Sequence, residues 1–186
     1  MASAPGKKIS IKGGCHCGYV SQSKQRPKKK IKKRTNTTLS FHNSFITYTA
    51  HPTLTPHHNL SATRCNCTFC QNLGYTCLHL ASPSDFTLHS PASLTDSQLG
   101  DYAPKVKSVH RYFCRECGSH VWMQGEYPLG EGKVMPVLAV NLGTVQVEGL
   151  VGEGVELART EMGYFDMLHG NVEGGLRERP WEGGLV

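Results

Sequence analysis

Apolar and polar positions interleave in short bursts along most of this chain, and no stretch sustains a helical period. β-favouring residues gather in FITYTA (45–50), YTCLHL (75–80), DFTLHS (85–90) and VKSVHRYF (106–113), then in HVWMQ (120–124) and VMPVLAVNLGTV (134–145). Pro, Ser, Asp and Gly separate these bursts, so the pattern predicts half-buried strands joined by hairpins. ISIKGGCHCG (9–18) reads as one more short strand, ending in a cysteine pair flanked by glycines. The pattern fails twice. Residues 19–45 are polar, basic and without period, and read as loop or insertion. From Gly149 on the chain is Gly-rich and acidic, with one short helix expected around Val155–Glu161. A mainly β fold follows.

Length makes this one domain, since 186 residues allow a real core but are short for two. The opening MASAPGKKIS has no apolar stretch, so no secretory leader is expected, and MPVLAV is far too short to cross a bilayer. The expected setting is the cytoplasm or the nucleus, with no membrane partner.

The net charge of +6 changes this picture less than it suggests. Residues 1–84 hold 12 Lys/Arg and no acid, and eight of those bases lie in KQRPKKKIKKR, Lys24 to Arg34. Without that run the chain nets −2, so its body is not basic. Such a run is a solvated arm by default, and no aromatic residue is interleaved to stack on bases, so nucleic-acid binding is not expected. Deleting residues 19–44 joins GGCHCG directly to FITYTA and continues the first motif into an alternating strand. Residues 19–44 therefore read as a basic disordered insertion or a translated intron.

Cysteine supplies the chemistry. In a reducing compartment eight cysteines point to metal rather than to disulfides. Seven fall into three clusters: Cys15 and Cys17; Cys65, Cys67 and Cys70; Cys114 and Cys117. CRECG resembles a zinc knuckle, two thiolates gripping one metal while Gly118 lets the backbone turn. Each knuckle is half a tetrahedron, and Cys15 and Cys17 can supply the other half, closing a four-thiolate site. The three remaining thiolates are what a zinc with one position open to water or substrate needs. Two other arrangements stay open on spacing alone. His79, His110, His120 or Cys77 could complete a second closed site, or the knuckle could pair with two of the three. Cys77 reads as a core thiol and His57 and His58 as loop residues facing water. His110 and His120 are candidates to support the metal ligands through hydrogen bonds, and Tyr112, Phe113 and Trp122 read as core.

GGCHCG, RCNCTFCQNLG and HRYFCRECGSHVW, in that order, resemble the glutathione-dependent formaldehyde-activating enzyme family, which also includes centromere protein V. The resemblance covers residues 9–145 apart from the insertion, and the tail YFDMLHGNVEGGLRERPW, within 146–186, loosely resembles the family's closing segment. It implies a β-tent fold, two antiparallel sheets bridged by zinc. It also implies two zinc ions: a structural one at Cys15, Cys17, Cys114 and Cys117, and a catalytic one at Cys65, Cys67 and Cys70. The activity implied is that of a carbon–sulfur lyase or synthase on thiol–aldehyde adducts such as S-hydroxymethylglutathione, with glutathione or another small thiol as partner. The alternative is a non-catalytic zinc-stabilised module that binds chromatin or a protein. The chain departs from the family in showing no recognisable glutathione-binding residues and in the 48 residues that separate Cys17 from Cys65.

Overall fold

The computed structural model describes residues 6–17, 44–104, 108–172 and 174–181. Two sheets carry the architecture. The smaller has the order β1-β2-β5, from β1 (Ile11–Gly14), β2 (Thr47–Ala50) and β5 (Phe86–Ser90), and is antiparallel throughout. The larger has eight strands in the order β11-β10-β3-β4-β9-β8-β7-β6. They are β3 (Ser61–Cys65), β4 (Thr76–His79), β6 (Leu99–Tyr102), β7 (Val109–Cys114), β8 (His120–Gly130), β9 (Lys133–Asn141), β10 (Glu161–Phe165) and β11 (Leu176–Arg177).

The alternating bursts become strands because one side of each meets the core. In β2, Tyr48 and Ala50 are buried while Thr47 and Thr49 are not, the period-2 signature of a half-covered sheet. Tyr48 and Phe86 of the small sheet lie 5.5 Å apart between ring centres, Phe86 lies 5.5 Å from Trp122 of the large sheet, and Trp122 stacks on Tyr112 at 4.4 Å. This aromatic column ties the two sheets together, and Ile11, Ile46, Leu60, Leu78, Val121 and Val140 fill the space around it. A side chain at Gly13 would run into the Tyr48 ring, so glycine there lets the small sheet close over its own tyrosine.

Short helices interrupt the sheets, among the described residues α1 (Thr68–Leu73) and α2 (Val147–Gly152). The helix expected around Val155–Glu161 is instead a single 3-10 turn at Leu157–Arg159 that leads into β10. The C-terminal segment completes the sheet: β10 pairs in parallel with β3, Glu161 opposite Ser61 through Phe165 opposite Cys65, the one parallel pairing among the described strands. Glu161 is anchored there by Thr55 Oγ1 at 2.6 Å and Asn59 Nδ2 at 3.2 Å. Residues 19–43 of the expected insertion lie outside the described residues, but its last residue, Ser44, belongs to the fold. Ser44 is buried and its hydroxyl donates to the Cys15 carbonyl at 2.9 Å. No described helix is long and apolar enough to cross a membrane.

Candidate metal centres

Cys15 leaves the end of β1, and Cys17 follows it; Cys114 ends β7, and Cys117 lies in the turn to β8. That turn is tight because Gly118, at φ 72°, donates its amide to the Cys114 carbonyl at 2.8 Å. The four sulfurs meet where the sheets join. Cys17 Sγ lies 3.2 Å from Cys15, 3.2 Å from Cys114 and 3.6 Å from Cys117. A zinc tetrathiolate with bonds near 2.3 Å has sulfur–sulfur edges of about 3.8 Å, so a slight expansion accommodates the ion. Cys15 and Cys114 are fully buried. Burial pushes the Cys17 and Cys114 thiols up to about 11. At Cys117 burial also pushes upward, but hydrogen bonds with Ser119, Cys17 and Cys114 together outweigh it and bring the thiol down to about 6.

Cys65, Cys67 and Cys70 form a separate group whose sulfurs all lie within 4.8 Å of one another. Two elements place them. Cys65 ends β3, Cys67 caps α1, and Cys70 lies in the first turn of that helix. The Cys67 amide donates to Cys65 Sγ at 3.4 Å and the Cys70 amide to Cys67 Sγ at 3.5 Å, contacts that favour sulfur as an anion. Hydrogen bonds from Cys65 and then Cys70 draw Cys67 well below the ordinary thiol range, and the same sharing drives Cys65 far above it. A metal bound here would displace the protons that the three thiols share. All eight cysteines are free thiols.

Neither alternative suggested by spacing alone is formed, since the knuckle sulfurs group with Cys15 and Cys17 and, among the described residues, no histidine joins either set. His79 faces solvent at the end of β4, and His57 and His58 are exposed in their loop. His110 pairs with Asp101 at 2.8 Å on the surface. His120 packs edge-on against Phe69, 5.4 Å between ring centres, and stacks on Phe113 at 4.8 Å. Burial, and then the Arg111 charge, hold His120 below its usual range. Cys77 is buried in the apolar cluster of Cys70 and Tyr75 and hydrogen-bonds Cys70 without joining the three-sulfur group.

A cleft of about 170 Å³ opens beside Cys65 and Cys70, with Arg64, Tyr164, Phe165 and Trp181 among its walls. Asn66, between the two cysteines, ties it to the C-terminal segment. Its Nδ2 donates to Asp166 at 2.6 Å, its Oδ1 accepts from the Leu168 amide at 2.8 Å, and its carbonyl accepts from Gln71 Nε2 at 2.7 Å. Trp181 donates from Nε1 to the Tyr164 carbonyl at 3.2 Å, under the Arg177 guanidinium at 3.9 Å. Sequence reasoning assigned none of Arg64, Asn66, Tyr164, Asp166 or Trp181. The tail YFDMLHGNVEGGLRERPW was the signal that pointed to the last three.

Residues 43–157 match the model of the glutathione-dependent formaldehyde-activating enzyme family. The chain belongs to that family. Within the formaldehyde-activating enzyme match lie Cys65, Cys67, Cys70, Cys114 and Cys117, whereas Cys15 and Cys17 precede it and β10, β11 and Trp181 follow it. No curated protein matches the chain. A crystal structure of a Rhodobacter sphaeroides protein, a structural-genomics target, aligns with a TM-score of 0.44 at 21% identity, over 72% of this chain and 85% of that one.

Proposed function

We propose that the chain is a zinc-dependent enzyme that makes and breaks carbon–sulfur bonds in adducts of a small thiol with an aldehyde, such as S-hydroxymethylglutathione. The observation that carries this reading is the group of three sulfurs, Cys65, Cys67 and Cys70, at the edge of a cleft and apart from the four-sulfur group. The donor sets fit zinc: four buried thiols suit a closed structural ion, and three thiols beside a cleft suit an ion that keeps one position free. Cys15, Cys17, Cys114 and Cys117 would hold the first ion and Cys65, Cys67 and Cys70 the second. Zinc bound at the three-sulfur group would supply Lewis acidity and would lower the proton affinity of a sulfur or oxygen ligand at the free position.

The chain's own residues do the rest. Amides of Cys67 and Cys70 hold two sulfurs in place, and the Asn66–Asp166 contact fixes the loop between Cys65 and Cys67. Phe69 and Tyr75 close the inner side, where Arg111 lies 4.7 Å over the Phe69 ring. In the reaction the thiol sulfur bonds to the aldehyde carbon, the C=O π bond opens, and the thiol proton ends on the new hydroxyl; cleavage is the reverse. The family's name, glutathione-dependent formaldehyde-activating enzyme, supports glutathione and formaldehyde as the first pair to assay. The alternative of a non-catalytic binding module draws on the basic run at 24–34, which lies outside the described residues, and a scaffold has no need of three thiols beside a cleft.

The test is Cys67→Ala. Zinc per chain should fall by one equivalent, and turnover of S-hydroxymethylglutathione should fall by at least about 100-fold, since residues that merely support metal ligands already cost 10–100-fold. Loss of one zinc with turnover unchanged would overturn the proposal.

A further inference from the structure

The cleft contains a charge that the sulfur chemistry leaves unexplained. Arg64 is half-buried at the end of β3, directly before Cys65, and lines the cleft. It has no hydrogen bond or ion pair with any described residue. Among the described residues no carboxylate lines the cleft either: besides the two cysteines and Arg64, its described walls are aromatic rings, amides, a threonine and a glycine. Asp166, which follows the lining residue Phe165, is buried and engaged by Asn66 and His169. A half-buried guanidinium without a counter-ion is costly unless it meets an anion in the working state.

Strand register shows how this arginine is presented. Arg177, Tyr164, Arg64 and Thr76 are successive partners across β11, β10, β3 and β4, so they stand in one row on one face of the sheet. Arg177 spends its guanidinium on the Trp181 ring and on the carbonyls of Arg179 and Pro180, which holds the indole against Tyr164. Among the described residues that line the cleft, Arg64 is the cation left without a partner. At about 170 Å³ the cleft is smaller than the roughly 300–1,000 Å³ typical of small-molecule sites. It has room for the sulfur end of a ligand and one charged arm, with the remainder of a tripeptide outside.

We infer that Arg64 is a specificity residue that binds a carboxylate of the thiol substrate, so that the site selects carboxylate-bearing thiols over neutral ones. This rests on the proposed thiol–aldehyde chemistry and names its substrate class. A planar guanidinium is suited to the task because it can grip a carboxylate through two parallel hydrogen bonds. The competing role for Arg64 is to offset the negative charge of three thiolates around a divalent ion, and it makes a different prediction. An electrostatic partner of the cluster affects every thiol alike, whereas a carboxylate anchor affects only those that carry a carboxylate.

The experiment uses the full zinc-loaded chain with glutathione and its diethyl ester, each with formaldehyde, alongside calorimetric binding of the two thiols without aldehyde. The native chain should prefer glutathione over the diester by about 10- to 100-fold in kcat/KM and in Kd, the range expected for a charge-assisted contact. Arg64→Gln should abolish that preference through a rise in KM with kcat nearly unchanged and diester kinetics intact, and Arg64→Lys should keep part of it. Equal losses on both thiols in Arg64→Gln, or no preference in the native chain, would overturn the inference. Absence of turnover with the binding preference present would instead overturn the proposed reaction and leave the carboxylate anchor standing.

Discussion

The two sulfur groups are built from the same side chain and differ in what surrounds them. The four-sulfur group draws on β1 and on the β7–β8 turn, nearly a hundred residues apart in sequence, and two of its members are fully buried. The three-sulfur group draws on six consecutive residues, Cys65 to Cys70, and has a cleft beside it. The first therefore closes a long loop between sheets, where cross-linking restricts the unfolded chain most. The second closes almost no loop, so its metal would contribute little to holding the fold and is free to serve chemistry. On the proposed reading, ligand number and loop length together would separate a structural role from a functional one.

The sharpest way to break this comparison is to remove one ligand from each group. Cys114→Ala should lower the thermal midpoint by more than about 10 °C, because an ion that joins the two sheets is lost with it. Cys67→Ala, read by the same melt, should cost only a few degrees while removing activity; equal shifts in the two variants would erase the distinction. Chelation provides the next contrast. A zinc indicator added to the native chain should report two phases, the faster at least about tenfold quicker and absent from Cys67→Ala, since metal at the cleft is the more accessible. Both phases should quicken as pH falls, because thiolate ligands bind metal only when deprotonated.

The sulfur groups were legible in the sequence because metal spacing is local: CHC, CNCTFC and CRECG each announce a fixed geometry within a few residues. The central strands were legible for a similar reason, since the alternation in FITYTA and HVWMQ reports one buried face. What escaped was set at long range. Every residue of β10 is partly covered, so it has no period to read, and its partner β3 lies a hundred residues earlier. The six residues of α1 are too few to show a helical repeat, and the helix is defined by its cap at Cys67 and by Gly74 closing it at φ 57°. Arg64 was visible in RCNC, but its place opposite Tyr164 exists only once the parallel register is formed.

Smaller effects should follow from the contact that joins the three-sulfur loop to the C-terminal segment. Asn66 is 4% exposed and satisfies Asp166 and the Leu168 amide together. Asn66→Ala leaves buried Asp166 and the Leu168 amide without that partner, at a cost of about 1–3 kcal/mol, or roughly 3–9 °C in the melt. It should also weaken zinc at the three-sulfur group by about 10- to 100-fold and leave the four-sulfur group unchanged. Loosening of both groups to the same extent would show that the loop is not an independent unit.

The finest distinction is one of charge. Asp166 is 3% exposed, and hydrogen bonds from Asn66 first, and then from His169, hold its carboxyl below the ordinary range. A carboxyl depressed in the fold stabilises it above its unfolded value, about 3.9, and ceases to do so as pH falls through the folded value. Asp166→Asn should therefore be less stable than the native chain at neutral pH, with the gap in urea midpoint closing as pH drops below about 4. Protonation of the thiols occurs in both proteins and cancels in the difference. A gap that persists unchanged at low pH would assign the contact's value to the shape of the loop rather than to its charge. In that case Asp166 would position Asn66 without adding any pH dependence to the three-sulfur group.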